Sequence, residues 1–256
     1  MFQNPKYLQN SFTIVFPRKP SIRRDVFEFE EKLKNSYIQP SQIISVPDEI
    51  NPDMPRMIFT SIHGYSQILV SQLNFVLNIN YSPDWQNDIA KGKEYILSKV
   101  SILYELLDII EENCPCFCGF NTLVQIPAQE EDDETVISHI YNLFSKHGEL
   151  SSSDIYEFQL KTSQIVEQDF FSNITIQNYR NWNIDIGSEG VQREGILKLS
   201  SKGIIESGIQ IAGDFNDRYA FNESDGYCSL QNQAIKIIDL GLDEVNKTIK
   251  KIIEVK

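Results

Sequence analysis

The chain is poor in the residues that catalytic and metal sites most often use: its 256 residues include three histidines, four cysteines and two tryptophans. It contains no G-x-G-x-x-G, no G-x-x-x-x-G-K-[ST], no G-x-S-x-G and no H-E-x-x-H. The sequence therefore carries no signature of dinucleotide binding, a phosphate loop, a nucleophile elbow or a zincin helix. No apolar run approaches the roughly 20 residues that span a bilayer. Met1-Phe2-Gln3-Asn4-Pro5-Lys6 lacks the basic region and apolar stretch of a signal peptide. Twelve glycines and ten prolines are too few for long low-complexity segments. The cysteines do not resemble a secreted disulfide framework, so the expected location is the cytoplasm, with neither disulfide nor metal needed for stability.

What the chain has in quantity is apolar and acidic residues. Hydrophobic residues make up 41%, with 15 Phe and 11 Tyr, ample for a core. The formal net charge is −13. That field disfavours direct contact with nucleic acid or anionic lipid and favours encounter with a basic protein partner.

Hydrophobic spacing gives the elements. Ser11–Phe16 predicts a strand, and Ile22, Val26, Phe29, Leu33 and Tyr37 predict a helix. Met57–Ile62 and a long, bent arm from Gln67 to Ile79 predict a hairpin. Ser82-Pro83-Asp84 predicts a helix start, with an apolar stripe from Ile89 to Ile110, and Phe117–Ile126 predicts a strand. This order, β-α-β-β-α-β, predicts a ferredoxin-like first half over residues 1–128. Residues 129–153 read as an acidic linker, Glu130 to Glu134, with a short helix from Val136 to Lys146 and a boundary at Gly148–Ser153. Residues 154–256 predict an antiparallel sheet, with strands at Asp154–Val166, Ile174–Ile186, Leu197–Leu199 and Ile205–Ile211. A C-terminal helix striped from Leu230 to Ile252 closes it. The class is α+β, with the two halves able to form one composite domain. Ile58–Asn80 and Leu197–Asn222 share a strand–turn–strand outline that suggests an internal duplication.

Three local clusters could carry chemistry. Cys114, Cys116 and Cys118 would share one face of an extended segment. Sulfurs roughly 7 Å apart per step are too far for one ion, so small packed residues are expected there. Glu28-Phe29-Glu30-Glu31-Lys32 satisfies E-x-E-x-K, similar to triphosphate tunnel enzymes, but its surroundings are helical and would scatter the charges. Gly213-Asp214-Phe215-Asn216-Asp217-Arg218 places oxygen-bearing side chains at a strand end without the glycine and distal glutamate of a calcium loop. Asp214, Asn216, Asp217 and Arg218 are the candidate polar site for a partner or ligand.

These segments resemble a sporadically distributed bacterial family of uncharacterised proteins of similar length. The resemblance rests on Ser11–Phe16, Phe59-Thr60-Ser61-Ile62-His63-Gly64, Tyr81-Ser82-Pro83-Asp84-Trp85, Gly119–Ile126 and Gly213-Asp214-Phe215-Asn216. It spans roughly residues 10–126 and 195–220. That family has no assigned activity, so the resemblance implies no catalytic residue. Its scattered distribution suits mobile, defence-associated genes. The expected function is a non-catalytic protein-binding or regulatory component of a defence, immunity or antitoxin system, with no cofactor and with homo-oligomerisation open. The alternative is an enzyme or small-molecule sensor with a site between the halves.

Overall fold

The computed structural model describes residues 1–129, 132–145, 155–183 and 203–254. The strands are β1 (Lys6–Val15), β2 (Gln42–Ile43), β3 (Met57–Thr60), β4 (Ser66–Val70), β5 (Asn74–Asn80), β6 (Phe117–Pro127), β7 (Gln159–Val166), β8 (Phe170–Trp182) and β9 (Ile204–Asn216). They form one antiparallel sheet in the order β2-β3-β4-β5-β1-β6-β9-β8-β7. The helices are α1 (Val26–Leu33), α2 (Ile89–Ile109), α3 (Asp133–Phe144), α4 (Arg218–Glu223) and α5 (Gln231–Glu254). The α+β class and the C-terminal helix packed on an antiparallel sheet are as the sequence predicts.

Strand alternation explains why α1, α2, α3 and α5 gather on one side. Phe12 pairs with Leu77 and Phe120, and Phe120 with Phe215, so these buried side chains share a face. They are fully excluded from solvent. Into this face α5 directs Ala234, Ile237, Ile238, Leu242, Val245, Ile249 and Ile252, spaced at three and four residues. Leu230, expected in that stripe, precedes the helix and is exposed. Gly241 permits the closest approach: a Cβ there would lie 2.6 Å from Phe215 and 2.7 Å from Phe120.

The first half differs from a β-α-β-β-α-β unit by two strands, the short β2 and one from the division of the expected bent arm. The expected bent arm divides into β4 and β5 at Ser71-Gln72-Leu73, where Ser71 Oγ accepts the N–H groups of Leu73 and Asn74. The turn reverses the phase: β4 buries Ile68 and Val70, β5 buries Phe75, Leu77 and Ile79, and Leu69 falls on the other face. The start of α2 also moves. Residues 83–87 form turns, and Asp88, accepting Lys91 N–H at 3.1 Å, caps the helix in place of Ser82. E-x-E-x-K does fall on a helix, α1.

The two halves repeat one plan. Strands β1, β3, β4 and β5 with α1 and α2 correspond in order and sheet position to β6, β7, β8 and β9 with α3 and α5, and β1 pairs with β6 at the centre. The chain leaves each half's last strand alike. Tyr81 N–H donates to Leu8 O at 3.0 Å, and Asp217 N–H to Cys118 O at 3.2 Å. The repeat thus relates β3–β5 to β7–β9 rather than to Leu197–Asn222. The expected strand at Leu197–Leu199, residues Ile184 and Ile186, the boundary at Gly148–Ser153, and Glu130 and Glu131 lie outside the described residues.

Candidate functional site

Among the described residues, α4 meets the other face of the sheet at one end, with Tyr219 5.4 Å from Phe171 and Phe221 5.6 Å from Phe117 by ring centroid, and register determines what the rest of that face presents. Antiparallel pairs join Thr60 to Gln67, Gln67 to Asn78, Asn78 to Ser11, and Ser11 to Asn121. The same row continues from Asn121 to Asp214, then to Asn173 and to Ser163. One polar row thus crosses eight strands, about 34 Å at the usual spacing of ~4.8 Å. Cross-strand bonds hold parts of it in place: Asn173 Nδ2 to Asp214 Oδ2 at 3.2 Å, Asn121 Nδ2 to Ser11 Oγ at 3.4 Å, and Gln67 Nε2 to Thr60 Oγ1 at 3.3 Å.

Glutamines continue the pattern four residues along: Gln125 pairs with Gln210 and donates to it at 3.2 Å, and Gln210 pairs with Gln177. On the opposite flank the row ends in apolar residues, Ile58, Leu69 and Val76 at one side and Phe171 and Ile165 at the other. Lys6, Lys161, Asp214 and Glu206, which is ion-paired to Lys6 at 3.1 Å, are the charged side chains at the outward positions of these strands. In a chain with 23% charged residues, this face is depleted of charge.

An open hollow of about 320 Å³ lies over the second half of this face. Gln9, Ser11 and Asn121 border it on one side, Lys161, Asn173 and Asp214 on the other, with Ala212 between them.

The predicted cluster at the end of β9 is divided by this geometry. Asp214 and Asn216 belong to the open face, where Asn216 Nδ2 donates to Asp214 Oδ1 at 3.1 Å. Arg218 is exposed, with its guanidinium 5.4 Å from the Phe117 ring centroid and its N–H donating to Asn216 Oδ1 at 3.3 Å. Asp217 turns the other way and is 0% exposed. Its carboxylate accepts Cys118 N–H at 2.6 Å and the Tyr227 hydroxyl at 2.8 Å, and it also accepts the Ser229 hydroxyl. Burial pushes the Asp217 carboxyl above its ordinary range even though these three donors pull the other way. Asp217 thus fastens residues 227–229 to the start of β6. Tyr104 OH, donating to Ser229 O at 3.0 Å, holds the same segment from α2.

The same segment carries a correction to the cysteine reading. Cys114 is disulfide-bonded to Cys228, 114 residues away. Cys116 is half-buried and free. Cys118 is fully buried in β6, and burial, aided by the neighbouring Asp217 carboxylate, pushes its thiol well up. Among the described residues, no group of three His, Cys, Asp or Glu side chains is placed to hold a metal ion. No helix there is long and apolar enough to cross a membrane.

Sequence reasoning missed Gln9, Ser11, Asn121, Lys161 and Asn173. Their signal is weak but present: the outward positions of several strands carry Asn, Gln, Ser or Thr where solvated strands often carry Lys or Glu. Searches against known protein families and curated proteins return no match to this chain.

Proposed function

We propose that this chain is a non-catalytic protein-binding component, of the kind that serves a bacterial defence, immunity or antitoxin system, and that it binds through the open face of its sheet. The observation that carries the reading is the depletion of charge on that face. Protein interfaces are distinguished less by overall apolarity than by loss of charged residues from their centre. A surface built for nucleic acid would instead concentrate lysine and arginine. The net charge of −13 acts at longer range and steers a basic protein toward the molecule, while the neutral face supplies the contact. The assignment to defence rests on the family resemblance.

Affinity capture from the native host, followed by mass spectrometry, tests this reading. A stoichiometric protein should be retained by the wild type and lost with Ser11→Glu/Asn121→Glu, which places two carboxylates at the centre of the face. Retention by both forms would move the binding surface elsewhere. A retained metabolite without protein would favour a sensor.

A cytoplasmic location belongs to the same proposal, and the Cys114–Cys228 bond bears on it because reducing compartments keep such thiols apart. Rapid alkylation of lysed cells tests the location: both thiols free at lysis would support the cytoplasm. A disulfide present at lysis would place the chain in an oxidising compartment.

A further inference from the structure

We infer that the open face of the sheet associates with the open face of a second copy of this chain. The inference rests on the reading of that face as a protein-interaction surface and names one occupant for it. Three observations select a second copy.

The first is chemical self-complementarity. Each Asn and Gln side chain carries both a donor and an acceptor, so an amide-lined surface can satisfy another like it. Among the described residues Asn78, Gln177 and Gln9 have no side-chain hydrogen bond, whereas Asn121, Asn173 and Gln125 are oriented by neighbours. Because the halves repeat one plan about the β1–β6 pair, the central row has a hydroxyl at each end, Thr60 and Ser163, and inside it four amides, Gln67, Asn78, Asn121 and Asn173, with Ser11 and Asp214. Its outer two positions match from either end, Thr60 with Ser163 and Gln67 with Asn173, as a twofold interface favours.

The second is spacing. Two sheets stacked with aligned strands present rows at the same ~4.8 Å interval, so a matching row is supplied by another sheet more readily than by a helix or loop. The apolar ends of the flanking row, Ile58 and Leu69 on one side and on the other the part of Phe171 that Tyr219 of α4 leaves open, supply area that leaves water without strict register.

The third is size and charge. A row of about 34 Å, taken over the two open-face residues of β3 and of β4 and three to four of each other strand, covers roughly 700–900 Å² per copy, which matches the ~800 Å² per partner of a stable interface. The chain's acidic excess lies off this face, and the charged side chains within it, Lys6, Lys161, Asp214 and Glu206, are two of each sign, so two copies meet there without a shared acidic field.

Sedimentation equilibrium of the purified chain over a range of concentrations tests the inference, using wild type and two double variants of equal charge change. Ser11→Glu/Asn121→Glu acts at the centre of the face. Thr162→Glu/Gln164→Glu acts on β7, at the sheet edge and on its opposite surface. The expected result is a wild-type dimer whose dissociation constant rises at least ~10-fold in the face variant, since opposed like charges cost over a kcal/mol, and is unchanged in the β7 variant. A monomer at every concentration overturns the inference, as does a dimer weakened by the β7 variant alone or by neither. The two proposals can fail separately. A monomer that still captures a host protein through the face removes the second copy and leaves the binding reading in place, whereas a dimer whose face captures no other protein does the reverse.

Discussion

The two faces of this sheet are made by the same strands and follow opposite rules. Along β6, Cys118, Phe120, Thr122, Val124 and Ile126 turn toward the helices and are buried, while Gly119, Asn121, Leu123 and Gln125 turn away. The covered face is apolar and closely packed against α5. The open face keeps hydrogen-bonding capacity and discards charge. A face exposed only to water gains nothing from avoiding lysine and glutamate, which keep proteins soluble. On the function proposed above, such avoidance marks a surface that spends part of its time covered.

Substitutions can break or sharpen this contrast. Phe215→Ala, on the covered face, should cost about 3–5 kcal/mol, because Phe215 is fully buried against Phe120 and α5 and its removal leaves a cavity. Denaturant melts would show it as a lower midpoint. A loss under 1 kcal/mol would mean that the helix packing is looser than described. Gly241→Ala should cost about 1–3 kcal/mol by forcing a methyl group against two rings, partly offset by the helix propensity of alanine, ~1 kcal/mol. A net gain would show that α5 can shift away from the sheet.

Asp217 sharpens the contrast through pH. Its carboxyl is raised above the ordinary value of 3.8 in the fold, so the folded state takes up a proton before the unfolded state does as pH falls. The contribution of Asp217 therefore favours the fold below its folded pKa and is lost as pH rises through the window above 3.8. Asp88 and Asp132, depressed by the helix-start N–H groups they accept, act in the opposite sense, and their contribution is lost as pH falls. Asp217→Asn should remove the first of these slopes in a pH series of denaturant melts and leave the second. An unchanged series would exclude Asp217 from the balance. The smallest effect belongs to the open face: Asn121→Ala should change stability by no more than about 0.5 kcal/mol, as exposed positions do. A larger loss would make the polar row a structural element.

Much of the fold was legible because burial writes itself into local spacing. The alternation of β1 and β6 and the stripe of α5 identify those elements without tertiary information. The β4–β5 turn was not legible, since Leu69, Leu73 and Phe75 keep an apolar period across it and the reversal depends on Ser71 capping two N–H groups. Of the predicted site, Asp214 and Asn216 share the open face as their even spacing implies. Asp217 departs because it lies one residue past the strand and is drawn inward by donors from Cys118, Tyr227 and Ser229. The pairing of Cys114 with Cys228 depends on a strap that sequence spacing cannot place. The polar row is distributed over eight strands, so no window of sequence contains it.

Hydroxyl-radical footprinting of the chain, free and in its assembled state, tests most directly whether the open face is the binding face. Oxidation of Leu123, Val76 and Phe171 should fall on assembly, while Phe27 and Ile253, exposed on α1 and α5, should stay as reactive as before. Protection of Phe27 and Ile253 with Leu123 and Val76 unchanged would place the interface on the helices and contradict the account.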